Sequence, residues 1–304
     1  MLIGLAGVLY LLWSSLDLVS IQQMNWRSSA IFWMLIAVFM MVIRDFAYMY
    51  RIRILTNNEI SWRNSFDVIM LWEFASAITP SVVGGAGIAI FIINKEKISL
   101  GRSTALVMTT AFLDELFYVL MVPAVILLAG IENIFPNDSG RTFFGWLMSI
   151  QSLFVIGYGF ILLLTSVMLY ATFFNPQGIK NLMVKICRLG VLKRWRKSIE
   201  QTGDDLIVTS RELKDKPFIF WIKAFGATFF AWTARFWVVN FIILAFSQSN
   251  SISHFGIYAR QLIMWVVMLI SPTPGSSGVA EVLFPQFLGE FISARVYILL
   301  SHLH

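Results

Sequence analysis

Five apolar runs, near residues 2–19, 28–50, 103–130, 143–174 and 218–247, are each about as long as a bilayer crossing requires. A helix needs roughly 20 apolar residues to span the hydrocarbon core. In lipid every backbone polar group must be satisfied internally, which leaves helices or closed barrels. The runs lack the two-residue alternation of barrel strands. The chain is therefore all-α, a polytopic membrane helical bundle. Only 13% of its residues are charged, against about 25% in a soluble domain. Met1 leads straight into the first run with no basic segment before it, which reads as an uncleaved helix rather than a signal peptide.

Two further apolar regions, 66–93 and 255–301, are interrupted in the same way. Thr79-Pro80 is followed by Gly84, Gly85 and Ala86; Thr273-Pro274 is followed by Gly275, Gly278 and Ala280. Proline removes a backbone donor and disfavours helix at the residue before it. Glycine permits backbone angles that other residues resist. Both patterns predict a broken helix at membrane depth, and irregular backbone survives there only when buried in protein or lining a cavity. Paired interruptions of this kind mark the binding region of a transporter. Ordinary kinks are the competing reading.

The positive-inside rule separates these readings at the first break. Arg51, Arg53 and Arg63 precede 66–93, and Lys95, Lys97 and Arg102 follow it. A single crossing would place one basic turn outside. A re-entrant hairpin with its tip near Thr79–Ala86 puts both on the cytoplasmic side, and the halves 66–78 and 87–94 look too short to cross. The second break stays open between a hairpin entering from the other face and a full span through 255–272. Two hairpins would form an inverted pair meeting near the midplane.

Residues 175–217 form a polar stretch with ten Lys/Arg and five Asp/Glu. Ile179, Leu182, Met183, Ile186 and Leu189 recur at helical spacing, with Lys180, Lys185 and Arg188 on the other face, and Lys193-Arg194-Trp195-Arg196-Lys197 follows. A basic amphipathic helix beside a Trp reads as interfacial. Anionic lipid headgroups at 179–197 are its expected partner; a solvated linker is the alternative. The net charge of +6 then needs no nucleic acid. Cys187 is the single cysteine, and the three histidines show no metal-binding spacing. Neither cofactor nor metal is expected.

Ionisable side chains within spans are costly and usually functional. The candidates are Glu73, Asp114, Glu115, Arg235, Arg260 and Glu281. Asp114 and Glu115 are adjacent, so their side chains diverge by about 100° on a helix. Arg235 lies in mid-span, where its planar fork of donors suits a phosphate. Pairing with Asp114, Glu115 or Glu281 to hold the bundle together is its structural alternative. Arg260 lies near the external start of the second broken segment, in position to receive a headgroup. Arg44-Asp45 is explained by a local ion pair or by snorkelling.

Ile78-Thr79-Pro80-Ser81-Val82-Val83-Gly84-Gly85 and Ser271-Pro272-Thr273-Pro274-Gly275-Ser276-Ser277-Gly278-Val279-Ala280-Glu281 resemble the signature stretches of the transmembrane region of lysylphosphatidylglycerol synthase and its stand-alone flippase-like relatives in bacteria and archaea. The resemblance covers essentially the whole chain, including the basic segment and Arg295-Val-Tyr297. It implies a single flippase-like transmembrane domain over 1–304 in the plasma or inner membrane. It also implies movement of a lipid between leaflets, with substrate contacts at the two broken segments. The soluble aminoacyl-transferring module of those synthases has no counterpart here, so aminoacylation does not follow. Relatives carry a Glu-Arg pair after the first signature; this chain has Phe112-Leu113-Asp114-Glu115-Leu116, without the Arg.

The leading expectation is a lipid flippase or transporter moving an anionic phospholipid or polyprenyl-linked precursor, and not an enzyme. The alternatives are an intramembrane lipid-modifying transferase, with Asp114, Glu115, Glu73 or Glu281 as base, and a non-catalytic accessory subunit of a lipid-synthesis complex. A homo-oligomer or a lipid-synthesis enzyme is the compatible protein partner.

Overall fold

Small residues set the central contact of the bundle. A computed structural model describes residues 28–78, 81–136, 149–186, 196–246, 253–269 and 279–291. Helix α1 (Ser28–Leu55) buries Ala30, Ala37, Arg44 and Arg51 at seven-residue spacing. The later helix α9 (Phe218–Phe246) buries Ala224, Ala227, Ala231 and Ala234. Small side chains let two backbones approach closely in a membrane, and α1 and α9 run antiparallel along their length. Trp33 stacks on Phe241 at 5.8 Å near one end. At the other end Arg51 donates to Thr228 at 3.0 Å and Lys216 to Asn57 at 2.8 Å.

Between them in sequence come α2 (Trp62–Ile78), α3 (Ser81–Lys95), α4 (Leu100–Ala129) and the single turn α5 (Ile131–Ile134). The helix α6 (Ile150–Leu169) continues as a π-helical turn, Tyr170–Phe174. Helices α7 (Pro176–Ile186) and α8 (Arg196–Lys214) lead to α9, followed by α10 (His254–Met268) and α11 (Val279–Leu288). Helices α1, α4, α6 with its π turn, and α9 are long and apolar enough to cross a membrane. They match four of the five expected spans; the fifth, 2–19, lies outside the described residues.

Helix α4 contains Pro123, whose missing N–H leaves the Val119 carbonyl without its usual donor. The Tyr158 hydroxyl on α6 donates to that carbonyl at 3.1 Å. The defect in one span is thereby repaired by its neighbour, as lipid demands.

Helices α2 and α3 form an antiparallel hairpin. Its open ends are joined by Asn64 to Glu96 at 2.5 Å. Arg102 closes the same mouth with a two-pronged pair to Glu59 at 2.7 and 2.8 Å. The helices have 17 and 15 residues, about 25 and 22 Å at 1.5 Å per residue. They are longer than the sequence suggested, yet shorter than the ~30 Å core. The interruption is also narrower than the expected Thr79–Ala86 tip. Helix α3 already starts at Ser81, so Gly84 and Gly85 are helical. Gly85 serves packing: a Cβ there would run into Ser76 of α2.

The second interrupted region reverses as well. Arg260 on α10 reaches the Phe287 carbonyl at the end of α11 (3.1 Å) and the Glu290 carboxylate (2.8 Å). The chain therefore leaves α10 and comes back beside its start; it does not continue as one long span. This second mouth lies at the end of the bundle where α4 finishes, since Arg260 also donates to Asn133 at 2.9 Å. The first mouth lies at the opposite end, beside Asn57, Lys216 and the start of α4. The two hairpins thus open at opposite ends.

Two apolar clusters follow this division. One gathers the first hairpin around Tyr48, Ile52, Leu106 and Leu113. The other gathers the second hairpin around Phe117, Tyr118, Trp232 and Phe236. Helices α7 and α8 pack on each other, and α8 packs on the start of α4, where Gly101 faces Thr202 and Leu206. Lys180 pairs with Asp204 at 2.5 Å, so one of the basic residues expected to face lipid is used inside this unit. Leu206 and Leu213 are buried, while Leu182 of α7 is exposed.

Candidate functional site

The boundary between the clusters carries the polar chemistry. Asp114, in the middle of α4, accepts two hydrogen bonds from Arg51, at 2.5 and 3.2 Å. It accepts a third from the Trp232 indole at 2.9 Å. Arg51 also lies over the Tyr48 ring, 4.9 Å from its centroid. A guanidinium this buried needs such a fork-to-fork partner. Adding Thr228, the network ties α1, α4 and α9 together at membrane depth.

Arg235 follows directly. Its guanidinium lies over the faces of Trp232 (5.3 Å) and Trp265 (4.9 Å). These two indoles meet edge to face at 5.6 Å. Trp265 belongs to α10 of the second hairpin. Glu73, on α2 of the first hairpin, is within electrostatic reach of Arg235. The half-buried Arg235 therefore stands between the hairpins. Among the described residues no carboxylate comes within ion-pair distance of it. An aromatic cradle attracts a cation without using up its N–H donors, so the donor fork stays suited to an anion.

The expected partner Asp114 is taken by Arg51 instead. That is a correction with a simple cause: Asp114 and Arg51 meet on the inward stripes of α4 and α1, leaving Arg235 to the indoles. The Glu281 side chain, the other expected partner, lies outside the described residues. So do Thr79, Pro80, Thr273, Pro274, Gly275 and Gly278.

Glu73 pairs with Arg44 at 2.6 Å, and Arg44 also pairs with Asp45 at 2.7 Å. The local Arg44–Asp45 pair is as expected; the link from Arg44 to the first hairpin is new. Arg44 and Glu73 each lie eleven residues from their helix's end at the first mouth, which is about 16 Å of rise. The triad is accordingly near mid-depth. Glu115 diverges from Asp114 as helix geometry requires; it is buried and its Oε2 has no hydrogen-bond partner among the described residues.

Arg260 departs from expectation. It is 5% exposed, and its donors go to Asn133, Phe287 and Glu290, with Phe291 beneath the guanidinium at 5.1 Å. Such saturation makes it a clamp on the second mouth rather than a receiver of headgroups.

Sequence reasoning placed Arg51 in a cytoplasmic turn and gave Tyr48, Thr228, Trp232 and Trp265 no role. A usable signal was present. Ala30, Ala37, Arg44 and Arg51 share one face of α1, so a small-residue packing stripe pointed both arginines inward.

Among the described residues, four helices long and apolar enough to span, set around two oppositely opening hairpins with a polar network between them, define a polytopic α-helical membrane protein with an internal polar site. The chain belongs to the family described as the lysylphosphatidylglycerol synthase TM region, which it matches over residues 1–302. It is also similar to a UPF0104 membrane protein of Archaeoglobus fulgidus, with 25% identity over 276 residues, covering 87% of this chain and 79% of the relative. No solved structure matches it.

Proposed function

We propose that this protein moves a lipid bearing an anionic headgroup between the leaflets of a bacterial or archaeal cell membrane. Arg235 receives the phosphate, and the acyl or polyprenyl tails remain in lipid. The observation that carries the reading is the position of Arg235 between the two hairpins, cradled on Trp232 and Trp265 with its donors turned to no described carboxylate. A half-buried guanidinium in this setting is stabilised when an anion arrives. Both hairpins are read as re-entrant, the first from the cytoplasm and the second from outside, as an inverted pair. The exposed basic residues Arg63, Lys97, Lys185, Arg211 and Lys214 lie at or beyond the first mouth, which is the cytoplasmic end by the positive-inside rule. Helix α7 would rest on anionic headgroups there through Leu182 and Lys185.

Reconstitution tests the reading. Proteoliposomes with headgroup-labelled lipids should exchange an anionic lipid between leaflets without covalent change. Arg235→Lys keeps the charge but loses the fork, so exchange should drop while the protein stays folded. Exchange at the wild-type rate in a folded Arg235→Leu variant would defeat the proposal. A mass change in the lipid would establish a transferase instead.

A further inference from the structure

A second set of polar groups lies in the seam between α9 and α10, toward the second mouth. Thr233 and Asn240 are seven residues apart on one face of α9. His254 and Tyr258 are four apart on one face of α10. Three atoms of these residues are buried without a hydrogen-bond partner among the described residues: both amide atoms of Asn240 and His254 Nδ1. Asn240 is 0% exposed. The seam is closed by aromatic contacts, Trp237 on His254 at 6.3 Å and Phe236 against Tyr258 at 5.8 Å. The Tyr258 and Thr233 hydroxyls face each other across the seam as a hydrogen-bonding pair, each with capacity left for a further partner.

Leaving one such group unmade costs about 1–3 kcal/mol, and three in one seam is far from the rule for buried polar atoms. Apolar side chains of the same shape would remove that cost at once, so the groups imply an occupant. Its chemistry is constrained. An amide, two hydroxyls and an imidazole offer donors and acceptors at close spacing. No acidic or basic group of the described residues bonds to them. None of them carries a fixed charge to favour a phosphate or an ammonium, and they match neighbouring hydroxyl groups.

We propose that this seam binds the vicinal hydroxyls of the lipid headgroup, as a station distinct from the phosphate site at Arg235. The assignment rests on the transport reading above and narrows it to lipids with an uncharged, hydroxylated headgroup rather than a cationic one. Charge at Arg235 and hydroxyl recognition in the seam would then act on two parts of one molecule.

Native mass spectrometry of the full chain tests this with four lipids of identical acyl chains: phosphatidic acid, phosphatidylglycerol, phosphatidylinositol and phosphatidylethanolamine. The protein should favour a hydroxylated headgroup over phosphatidic acid by about tenfold, the worth of one or two well-made hydrogen bonds. Whether glycerol or the inositol ring is held more tightly identifies the source of the hydroxyls. Asn240→Leu should cut the preference to about twofold or less and leave phosphatidic acid binding unchanged. Should that variant not fold, Thr233→Val with Tyr258→Phe gives the same readout. A wild type that binds phosphatidic acid equally well, or a preference that survives in the variants, would overturn the assignment and leave buried water as the occupant. Arg235→Gln reports separately. Its loss of phosphatidic acid binding supports the phosphate reading, and unchanged binding removes that reading without touching the hydroxyl comparison.

Discussion

Asp114 and Arg51 should behave as one unit in stability. Asp114→Leu removes two bonds from Arg51 and one from Trp232. Arg51, 5% exposed, would keep Thr228 at 3.0 Å and the Tyr48 ring, but no counter-charge among the described residues. Breaking a buried pair from one side costs about 3–5 kcal/mol, because an uncompensated charge stays behind. Asp114 is a quarter exposed, which places its loss toward the lower end. Arg51→Leu strands the carboxylate but leaves it the Trp232 donor, for about 3 kcal/mol. In Arg51→Leu/Asp114→Leu neither charge remains, so the cost should be well below the sum, with a coupling of about 2 kcal/mol. Reversible unfolding in bicelles, followed by tryptophan fluorescence, measures all four corners of the cycle. Additive losses would refute the argument, since they would mean that the two groups do not depend on each other.

Three further outcomes follow from individual contacts. Tyr158→Phe should destabilise the protein by about 1 kcal/mol by orphaning the Val119 carbonyl; in a Pro123→Ala background, where the backbone donor returns, the same unfolding assay should show almost no effect. Arg260→Met should release the second mouth, read as faster amide exchange across 287–291 with exchange in α2 and α3 unchanged; uniform protection in both would deny the clamp. Gly101→Ala places a Cβ against the Thr202 carbonyl and the backbone of Leu206, so α8 should shift from α4 at a cost of about 1–3 kcal/mol, visible as new protease cleavage in 196–214.

The class of the protein was legible because lipid imposes it. Span length and the ban on unsatisfied backbone are properties of the segment alone, so α1, α4, α6 and α9 could be read from apolar runs. Basic residues on both sides of 66–93 likewise exposed the first hairpin, since a hairpin returns its ends to one side. The second was undecidable from sequence, because what reverses the chain there is a set of contacts between Arg260 and residues 287–291. Proline placement located the first interruption. Only the structure showed that Gly84 and Gly85 lie beyond it in helix, with Gly85 making room for Ser76 rather than breaking the chain.

The charged residues divide along the same line. Sequence by itself determined that Asp114, Glu115, Glu73 and Arg235 sit in apolar surroundings and need a reason to be there. It could not say who partners whom. Pairing depends on which helix faces which, and that is decided by packing between segments far apart in sequence: Arg51 with Asp114, Arg44 with Glu73, Arg235 with two indoles. Counting charge near the end of a span treats Arg51 as part of a solvated turn. The close approach of α1 and α9 along their alanines turns that same residue inward, where only a carboxylate from a third helix can hold it.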